Sequence, residues 1–297
     1  MYNQLITKSF NKNIFEQNVS EDILINCLED CYKNTAFSTF TYIFHNMDSE
    51  QSIKKTNSGN CISLSMYLRN YLKVKYNIHS YLIPATIPNK YKHQGYLDIS
   101  HVALAVPKNS SIIYILDPAF YFLNPIKVDI NSMKCSTVFS KNIYEYEYSN
   151  NLKNYSSIDT IESCPGQLKS DKIFNEFQSI QKTTYYAKSY YKNDVNDYWF
   201  YFLTEVINPD TAITSFFIDI KKDPFIVTSV LDNNSICKLN LFIKITPYDL
   251  QITDHHGKKN IYDWNTLDIN KIKSLKLKPF LINNILDYID KFRLHKP

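Results

Sequence analysis

Glycine is scarce in this sequence of 297 residues: only four glycines occur, far apart, at positions 59, 95, 166 and 257. The loops that hold the phosphates of dinucleotides and nucleoside triphosphates need several glycines close together. Rossmann-type and P-loop nucleotide-binding proteins are therefore excluded. A run of about 18 apolar residues is also missing, and the first residues do not join a charged segment to an apolar one. We expect a cytoplasmic protein that does not bind a membrane.

Paired cysteines are missing as well. The six cysteines form no C-x-x-C motif and are irregularly spaced, which excludes a secreted disulfide framework and indicates a reducing compartment. Cys27 and Cys31 lie one helical turn apart, but no further cysteine or histidine follows at a supporting spacing, so we predict buried thiols. His255 and His256 precede Gly257 and are assigned to a turn. We expect no metal site.

Charge of one sign is not concentrated anywhere in the chain. Lysine and arginine number 33 and aspartate and glutamate 29, a net charge of +4, which is too dilute to predict nucleic acid as a partner. Hydrophobic residues at 44% and charged residues at 21% are typical of a globular protein. The length allows one large domain or up to three small ones.

Hydrophobic periodicity changes along the chain and predicts an α+β protein. Apolar residues at helical spacing predict a helix after Ser20 and a second from Cys61 to Lys75. After Ser80, short β-branched segments predict strands, and the polar residues 149–170 predict a linker or long loop. More strands and two C-terminal helices are predicted beyond this region. The expected domains are a helical domain at 1–78, a strand-rich domain at 79–182 and a mixed α/β domain at 183–297.

Three ionisable residues stand at positions suited to nucleophilic catalysis. Cys61 follows a glycine-containing turn and opens a helix, whose positive end favours a thiolate. His101 begins one predicted strand and Asp117 ends the next, with a polar turn between them. An antiparallel hairpin brings both side chains to one end of the sheet, where the carboxylate orients the imidazole and favours its protonated form. Nucleophile, base and orienting acid then form a catalytic triad.

With these residues in this order, the sequence resembles the arylamine N-acetyltransferases, within the broader superfamily of transglutaminase-like and papain-like cysteine enzymes. In that family a glycine precedes the cysteine, an H-x-x-L-x-V strand carries the histidine, and an acid closes the next strand; residues 101–106 match that strand. Residues 84–96 and 208–217 resemble the loop before this strand and a Pro- and Ser/Thr-rich stretch of the third domain. The resemblance implies a helical first domain, an antiparallel β-barrel second domain and a mixed α/β third domain.

The resemblance also implies a function. It predicts an acyltransferase that moves an acetyl group from acetyl-CoA to a small-molecule amine through an acyl-Cys61 intermediate, with acetyl-CoA as a cosubstrate and no tightly bound cofactor. His101 is the expected general base and acid, and Asp117 is the expected orienting acid.

Other residues are assigned to substrate binding. Phe37, Phe40 and Phe120 are predicted to form an apolar substrate wall, because small-molecule pockets are lined mostly by apolar and aromatic side chains. By resemblance alone, Thr211 and Thr214 are predicted to contact the coenzyme.

Two alternatives stay open because the turn before the nucleophile departs from the family. The family has Arg-Gly-Gly-aromatic-Cys there, whereas residues 57–61 read Asn-Ser-Gly-Asn-Cys, and Asp117-Pro118 is closer to transglutaminase-like proteins. The first alternative is a transglutaminase-like or peptidase-like enzyme that acts on amide bonds. The second is a catalytically inactive binding module of the same fold. Acylation of Cys61 by acetyl-CoA and the reactivity of its thiol distinguish the three interpretations.

Overall fold

The structure, a computed structural model, describes most of the N-terminal half of the chain and parts of the C-terminal half. The described residues are 16–45, 47–86, 99–109, 111–121, 124–129, 134–135, 138–141, 145–149, 160–168, 183–186, 207–208, 213–214, 218–219, 223–231, 239–254, 258–268, 270, 278, 281, 286–287 and 290.

Four α-helices are found in the described part of the chain: α1 (Glu21–Asn34), α2 (Phe40–His45), α3 (Ser49–Thr56) and α4 (Cys61–Tyr76). Helix α1 begins where the sequence predicts, because the Ser20 side chain caps it by accepting the N–H of Ile23. Helix α4 also agrees with its prediction. The short helices α2 and α3 were not predicted, since each is too short for a helical period to stand out.

Within the described ranges, the strands pair mainly antiparallel and build three sheets. They are β1 (Ala36–Ser38), β2 (Ser58–Gly59), β3 (Tyr81–Thr86), β4 (Ile99–Pro107), β5 (Ile112–Leu116), β6 (Ile126–Asp129), β7 (Lys134–Cys135), β8 (Val138–Lys141), β9 (Glu145–Ser149), β10 (Thr160–Leu168), β11 (Thr183–Tyr186), β12 (Ile207–Asn208), β13 (Ile213–Thr214), β14 (Ile218–Asp219), β15 (Ile226–Leu231), β16 (Leu239–Ile245), β17 (Asp249–Asp254) and β18 (Lys259–Asp263). The sheet orders are β7-β6-β5-β4-β3-β11-β10-β9-β8, β18-β17-β16-β15-β1-β2 and β12-β13-β14. The predicted α+β class is confirmed.

The nine-stranded sheet is open as far as the structure describes it. A closed barrel needs hydrogen bonds between its first and last strands. Here β7 pairs with β6, β8 pairs with β9, and the two end strands do not pair with each other. The predicted antiparallel β-barrel is therefore not found in the described residues. The physical reason is that β11, β10, β9 and β8 extend the sheet beyond β3 instead of returning to β7.

Two sheets join segments that are distant in the sequence. Strand β11 pairs with β3, and β1 pairs with both β2 and β15. Strands β1 and β2 of the N-terminal region therefore share a sheet with β15–β18 of the C-terminal region. The domain boundaries given by the sequence stay predictions. One sequence assignment needs correction: residues 149–170 were predicted as a linker, but β10 occupies nine of them and pairs with β9 and β11.

Helix α4 forms the centre of the main hydrophobic core. Its buried face carries Leu64, Leu68 and Leu72, which cluster with apolar side chains of α1, β4 and β5. Cys27 and Cys31 are buried in the same cluster, as the sequence predicts. A second cluster lies among the strands β15–β17. None of the helices in the described ranges has the length and apolar character needed to cross a membrane.

Replacing one central leucine tests how far this helix supports the fold. The Leu68 side chain is fully buried in the core cluster, so we expect Leu68→Ala to lower the free energy of unfolding by about 2–5 kcal/mol. Val74 lies on the same helix but is exposed, so Val74→Ala is the matched control and should change stability by less than about 0.5 kcal/mol. Urea unfolding measures both values. Equal losses in the two variants would contradict the central role of this face.

Candidate active site

Cys61 occupies the first position of helix α4, immediately after the N-cap residue Asn60. The Asn60 side chain accepts the N–H of Ser63 at 3.1 Å, which satisfies one of the free amides at the helix start. Cys61 is almost fully buried. Its sulfur is therefore shielded from water and lies beside the positive end of a long helix.

The backbone before Cys61 is packed too tightly for a side chain. A Cβ atom at Gly59 would lie 2.2 Å from Ser63 Oγ and 3.0 Å from Tyr42 Oη, so these neighbours would have to move. Gly59 also pairs in parallel with Phe37 of β1. The glycine therefore allows β2 to turn directly into helix α4.

His101 and Asp117 come from the β4–β5 hairpin, as the sequence predicts. Leu104 pairs with Leu116, the last residue of β5, so Asp117 follows at the end of the hairpin where β4 carries His101. The side chains meet at 2.7 Å between His101 Nε2 and Asp117 Oδ2. Both are buried, with exposures of 2% and 0%. A short 3₁₀ turn, Pro118–Phe120, follows the aspartate.

Cys61 reaches the same imidazole ring from the helix side. Burial by itself lowers the pKa of His101, but the Asp117 carboxylate and a hydrogen bond with the Cys61 side chain outweigh burial and raise that pKa from 6.5 to about 10. Because Nε2 is bound to Asp117, Nδ1 is the ring nitrogen left for the sulfur. The three predicted residues thus lie together, in the order thiol, imidazole and carboxylate.

Two of the predicted aromatic residues lie near this cluster. The Phe120 ring centroid is 4.8 Å from that of His101, with the planes inclined at 51°. Phe37 lies in β1, between Gly59 of β2 and Val227 of β15, and its ring stacks on Phe225. One aromatic ring therefore covers the imidazole and the other adjoins the nucleophile's turn.

The remaining predicted binding residues are Phe40, Thr211 and Thr214. Phe40 packs in the second core cluster and stacks on Phe44, so the structure places it apart from the cluster that holds Cys61. Thr214 ends the short strand β13, and Thr211 lies outside the described residues. Their proposed contacts with substrate and coenzyme stay predictions. His255 and His256 also lie outside the described residues, and no group of three metal-ligating side chains occurs among those described.

Tyr121 is a residue that the sequence analysis did not identify. It follows the 3₁₀ turn with a left-handed backbone, φ 56°. Its buried hydroxyl donates to the Val227 carbonyl at 2.6 Å and accepts the N–H of Phe37 at 3.4 Å. Tyr121 thus fastens the turn after Asp117 to the β1–β15 pair. No local pattern marks this residue, because its partners are distant in the sequence.

The fold is similar to that of solved arylamine N-acetyltransferases. The enzyme of Bacillus cereus is 16% identical with a TM-score of 0.54, covering 88% of this chain and 90% of its own, and is described as having a Cys-His-Glu catalytic triad. The Mycobacterium marinum enzyme is 13% identical with a TM-score of 0.55, covering 94% of this chain and 96% of its own. A second structure of that enzyme is a complex with CoA, with a TM-score of 0.53 at 13% identity, covering 91% of this chain and 89% of its own.

No protein-family model matches the chain, and no curated protein sequence does. At identities this low, structural likeness shows the fold alone. The resemblance expected from the sequence is therefore confirmed at the level of the fold.

The raised pKa of His101 predicts how stability depends on pH. Between pH 6.5 and about 10 the folded protein keeps a proton on His101 that the unfolded chain releases. The stabilisation is complete below pH 6.5 and is lost as the pH rises towards 10, by at most about 1.4 kcal/mol per pH unit. A Cys61 thiolate would offset the proton that His101 keeps, so the comparison is made with Cys61 replaced. Between pH 7 and pH 9, we expect the free energy of unfolding of Cys61→Ser to fall more steeply than that of Cys61→Ser combined with Asp117→Asn, measured by urea unfolding.

The comparison with Asp117→Asn removes the contributions of other groups. Burial raises the pKa of Cys27 and of Cys31 to about 12 and lowers the pKa of Lys278 to about 7, and these groups are present in both proteins. Parallel pH curves for the two Cys61→Ser proteins would show that Asp117 does not stabilise the imidazolium.

Proposed function

We propose that the protein is a cysteine-dependent acyltransferase that takes an acetyl group from acetyl-CoA and passes it to a small-molecule amine through an acyl-Cys61 intermediate. The observation that carries this proposal is the buried contact of His101 with Asp117 at 2.7 Å and with Cys61, in a chain with the arylamine N-acetyltransferase fold. A high pKa for His101 favours an imidazolium, which stabilises a thiolate beside it.

In the first half-reaction, the Cys61 thiolate attacks the thioester carbonyl carbon, and the carbonyl electron pair moves to oxygen. The N–H of Cys61, at the start of helix α4, is suited to stabilise that oxygen. When the tetrahedral intermediate collapses, the bond to the coenzyme sulfur breaks. His101 gives its proton to the leaving thiolate, so CoA departs as the thiol and His101 becomes neutral.

In the second half-reaction, an amine attacks the carbonyl carbon of acyl-Cys61. Neutral His101 now accepts the proton that the amine loses, and the bond between the carbonyl carbon and Cys61 Sγ breaks. The products are the amide and the original thiolate–imidazolium pair. Asp117 keeps the ring oriented through both steps, because it holds Nε2 and leaves Nδ1 for the sulfur.

The proposed substrate contacts follow the aromatic residues near the cluster. Phe120 and Phe37 supply apolar surface beside His101 and the nucleophile's turn, which suits an aromatic amine. Acetyl-CoA as cosubstrate is supported by the complex of the similar Mycobacterium marinum enzyme with CoA. Thr211 and Thr214 remain the proposed coenzyme contacts, and no tightly bound cofactor is part of the proposal.

Acetylation of the nucleophile tests the proposed function directly. Incubation with radiolabelled acetyl-CoA, without amine, should place label on the peptide that contains Cys61, and an arylamine should then release it. Cys61→Ser should lose both labelling and turnover, because a hydroxyl is a far weaker nucleophile than a thiolate. Cys27→Ser is the matched control: Cys27 is an equally buried thiol at the centre of α1, so its replacement should leave labelling intact.

Failure of labelling separates the alternatives when it is combined with alkylation. Iodoacetamide at about pH 6 reacts with thiolates and much more slowly with ordinary thiols. An unlabelled Cys61 that is alkylated much faster than Cys27 would support an enzyme acting on amide bonds. If Cys61 is unlabelled and its alkylation is no faster than that of Cys27, the protein would be an inactive binding module.

The role of the carboxylate is tested by Asp117→Asn. The amide keeps the shape of the side chain but favours the wrong tautomer of His101, so turnover should fall by about 10⁴. Asp30→Asn is the matched control. Asp30 lies on α1 and accepts a hydrogen bond at 2.7 Å from the hydroxyl of Tyr67 on α4. Its replacement should leave turnover near the wild-type value. Steady-state kinetics with an arylamine measures both. A loss below about tenfold would assign Asp117 a structural role.

A further inference from the structure

Four uncharged polar side chains surround the turn that carries Cys61. They are Tyr42, Ser49, Asn60 and Ser63, and all are buried. Tyr42 comes from α2, Ser49 from the start of α3, and the other two lie on either side of Cys61. We call these four residues the hydroxyl–amide network.

The hydrogen bonds of the network account for all of its hydroxyl protons. Ser49 Oγ donates to Asn60 Oδ1 at 2.8 Å, and Ser63 Oγ donates to the Ser49 carbonyl at 2.8 Å. Tyr42 Oη accepts the N–H of Asn60 at 3.0 Å. Its own proton is then left for Ser63 Oγ at 2.9 Å or Ser49 Oγ at 3.1 Å, because both serine protons are already used.

The Tyr42 hydroxyl is the member that bridges the two sides of Cys61. It binds the amide of the residue before Cys61 and the side chain of the residue two positions after it. It also lies against Gly59, where an added Cβ would come within 3.0 Å of it. A shift of this hydroxyl therefore changes the backbone on both sides of the nucleophile.

We propose that Tyr42 is a positioning residue for the nucleophile: its hydroxyl fixes the turn at Asn60 and thereby the direction in which Cys61 Sγ faces His101. The inference rests on the proposed function in taking Cys61 as the nucleophile. The network bears no formal charge, so it holds the turn without competing with His101 for a thiolate. Small displacements matter here, because a reacting atom misplaced by about 1 Å can slow a reaction about a hundredfold.

Tyr42→Phe tests this role, because it removes the hydroxyl and keeps the ring. The loss leaves the Asn60 N–H without its acceptor, so we expect the second-order rate of Cys61 alkylation by iodoacetamide at pH 6 to fall about tenfold. The ratio of the rates at pH 6 and pH 9 should fall as well, because a displaced sulfur is less stabilised by the imidazolium. A purely structural loss of stability would not change that ratio.

Tyr67→Phe is the matched control for this variant. Tyr67 lies on α4 itself and donates its hydroxyl to Asp30 at 2.7 Å, remote from the turn. Its loss should lower stability without changing Cys61 alkylation by more than about twofold. A wild-type rate of Cys61 alkylation in Tyr42→Phe, or an equal decrease of that rate in both variants, would overturn the proposal.

If Tyr42→Phe does not fold, Ser49→Ala takes its place as the test variant. It removes the donor to Asn60 Oδ1 and should also slow Cys61 alkylation, and an unchanged rate would overturn the proposal.

The outcome is separable from that of the proposed function. If acetyl-CoA leaves no label but Tyr42→Phe slows alkylation, the acyl donor is wrong and the positioning role holds. If wild-type Cys61 is unreactive, the proposed function fails, and amide hydrogen exchange decides the inference. The Asn60 N–H should then be protected in the wild type and lose that protection in Tyr42→Phe; an unchanged exchange rate would overturn it.

Discussion

The buried pairing of His101 with Asp117 is the interaction on which the rest of the site depends. A carboxylate with no exposed surface is strongly destabilising unless a partner compensates its charge, and here the partner is an imidazole 2.7 Å away. Two consecutive antiparallel strands supply both groups, so the hairpin register alone brings them together. Asp117 raises the pKa of His101 and so favours its protonated form. A protonated imidazole places a positive charge beside the Cys61 sulfur. Stability and reactivity thus have the same physical origin at this position.

Cys61, the proposed nucleophile, approaches that pair from a helix and not from the sheet. Helix α4 packs across β4 with its leucine face in the core, which directs its first residue towards the end of the hairpin. Strand β2 cannot hold this position alone, because it has only two residues. It is supported through Phe37 of β1, which pairs with Gly59 on one side and Val227 on the other. Tyr121 then ties the turn after Asp117 to the same strands. Both halves of the site are therefore anchored on one strand pair.

Local patterns in the sequence were sufficient for the parts of the site that depend on neighbouring residues. The helix period from Cys61, the short β-branched segments of β4 and β5 and the polar turn between them predicted where the three ionisable residues stand and that His101 meets Asp117. Local patterns could not predict the long-range pairing, because β1 and β2 are too short to show a period and β15, which pairs with β1, is remote in the chain. Phe40 shows the same limit, since an aromatic residue near the nucleophile in sequence can face a different core cluster. Tyr42 carries no signal, because its role depends on where α2 packs.

The turn before Cys61 shows which requirements of such a site are strict. The Sγ atom needs a helix start beside it and a glycine two residues earlier, because no Cβ fits next to Ser63. Where the arylamine N-acetyltransferases have an arginine, this chain has Asn57, which adopts a left-handed conformation and ends α3. Bracing comes instead from the hydroxyl–amide network, whose hydrogen bonds reach the same backbone without a buried charge that would need its own partner. In this chain, uncharged side chains thus hold the turn, and the charge beside Cys61 comes from the pair of His101 with Asp117.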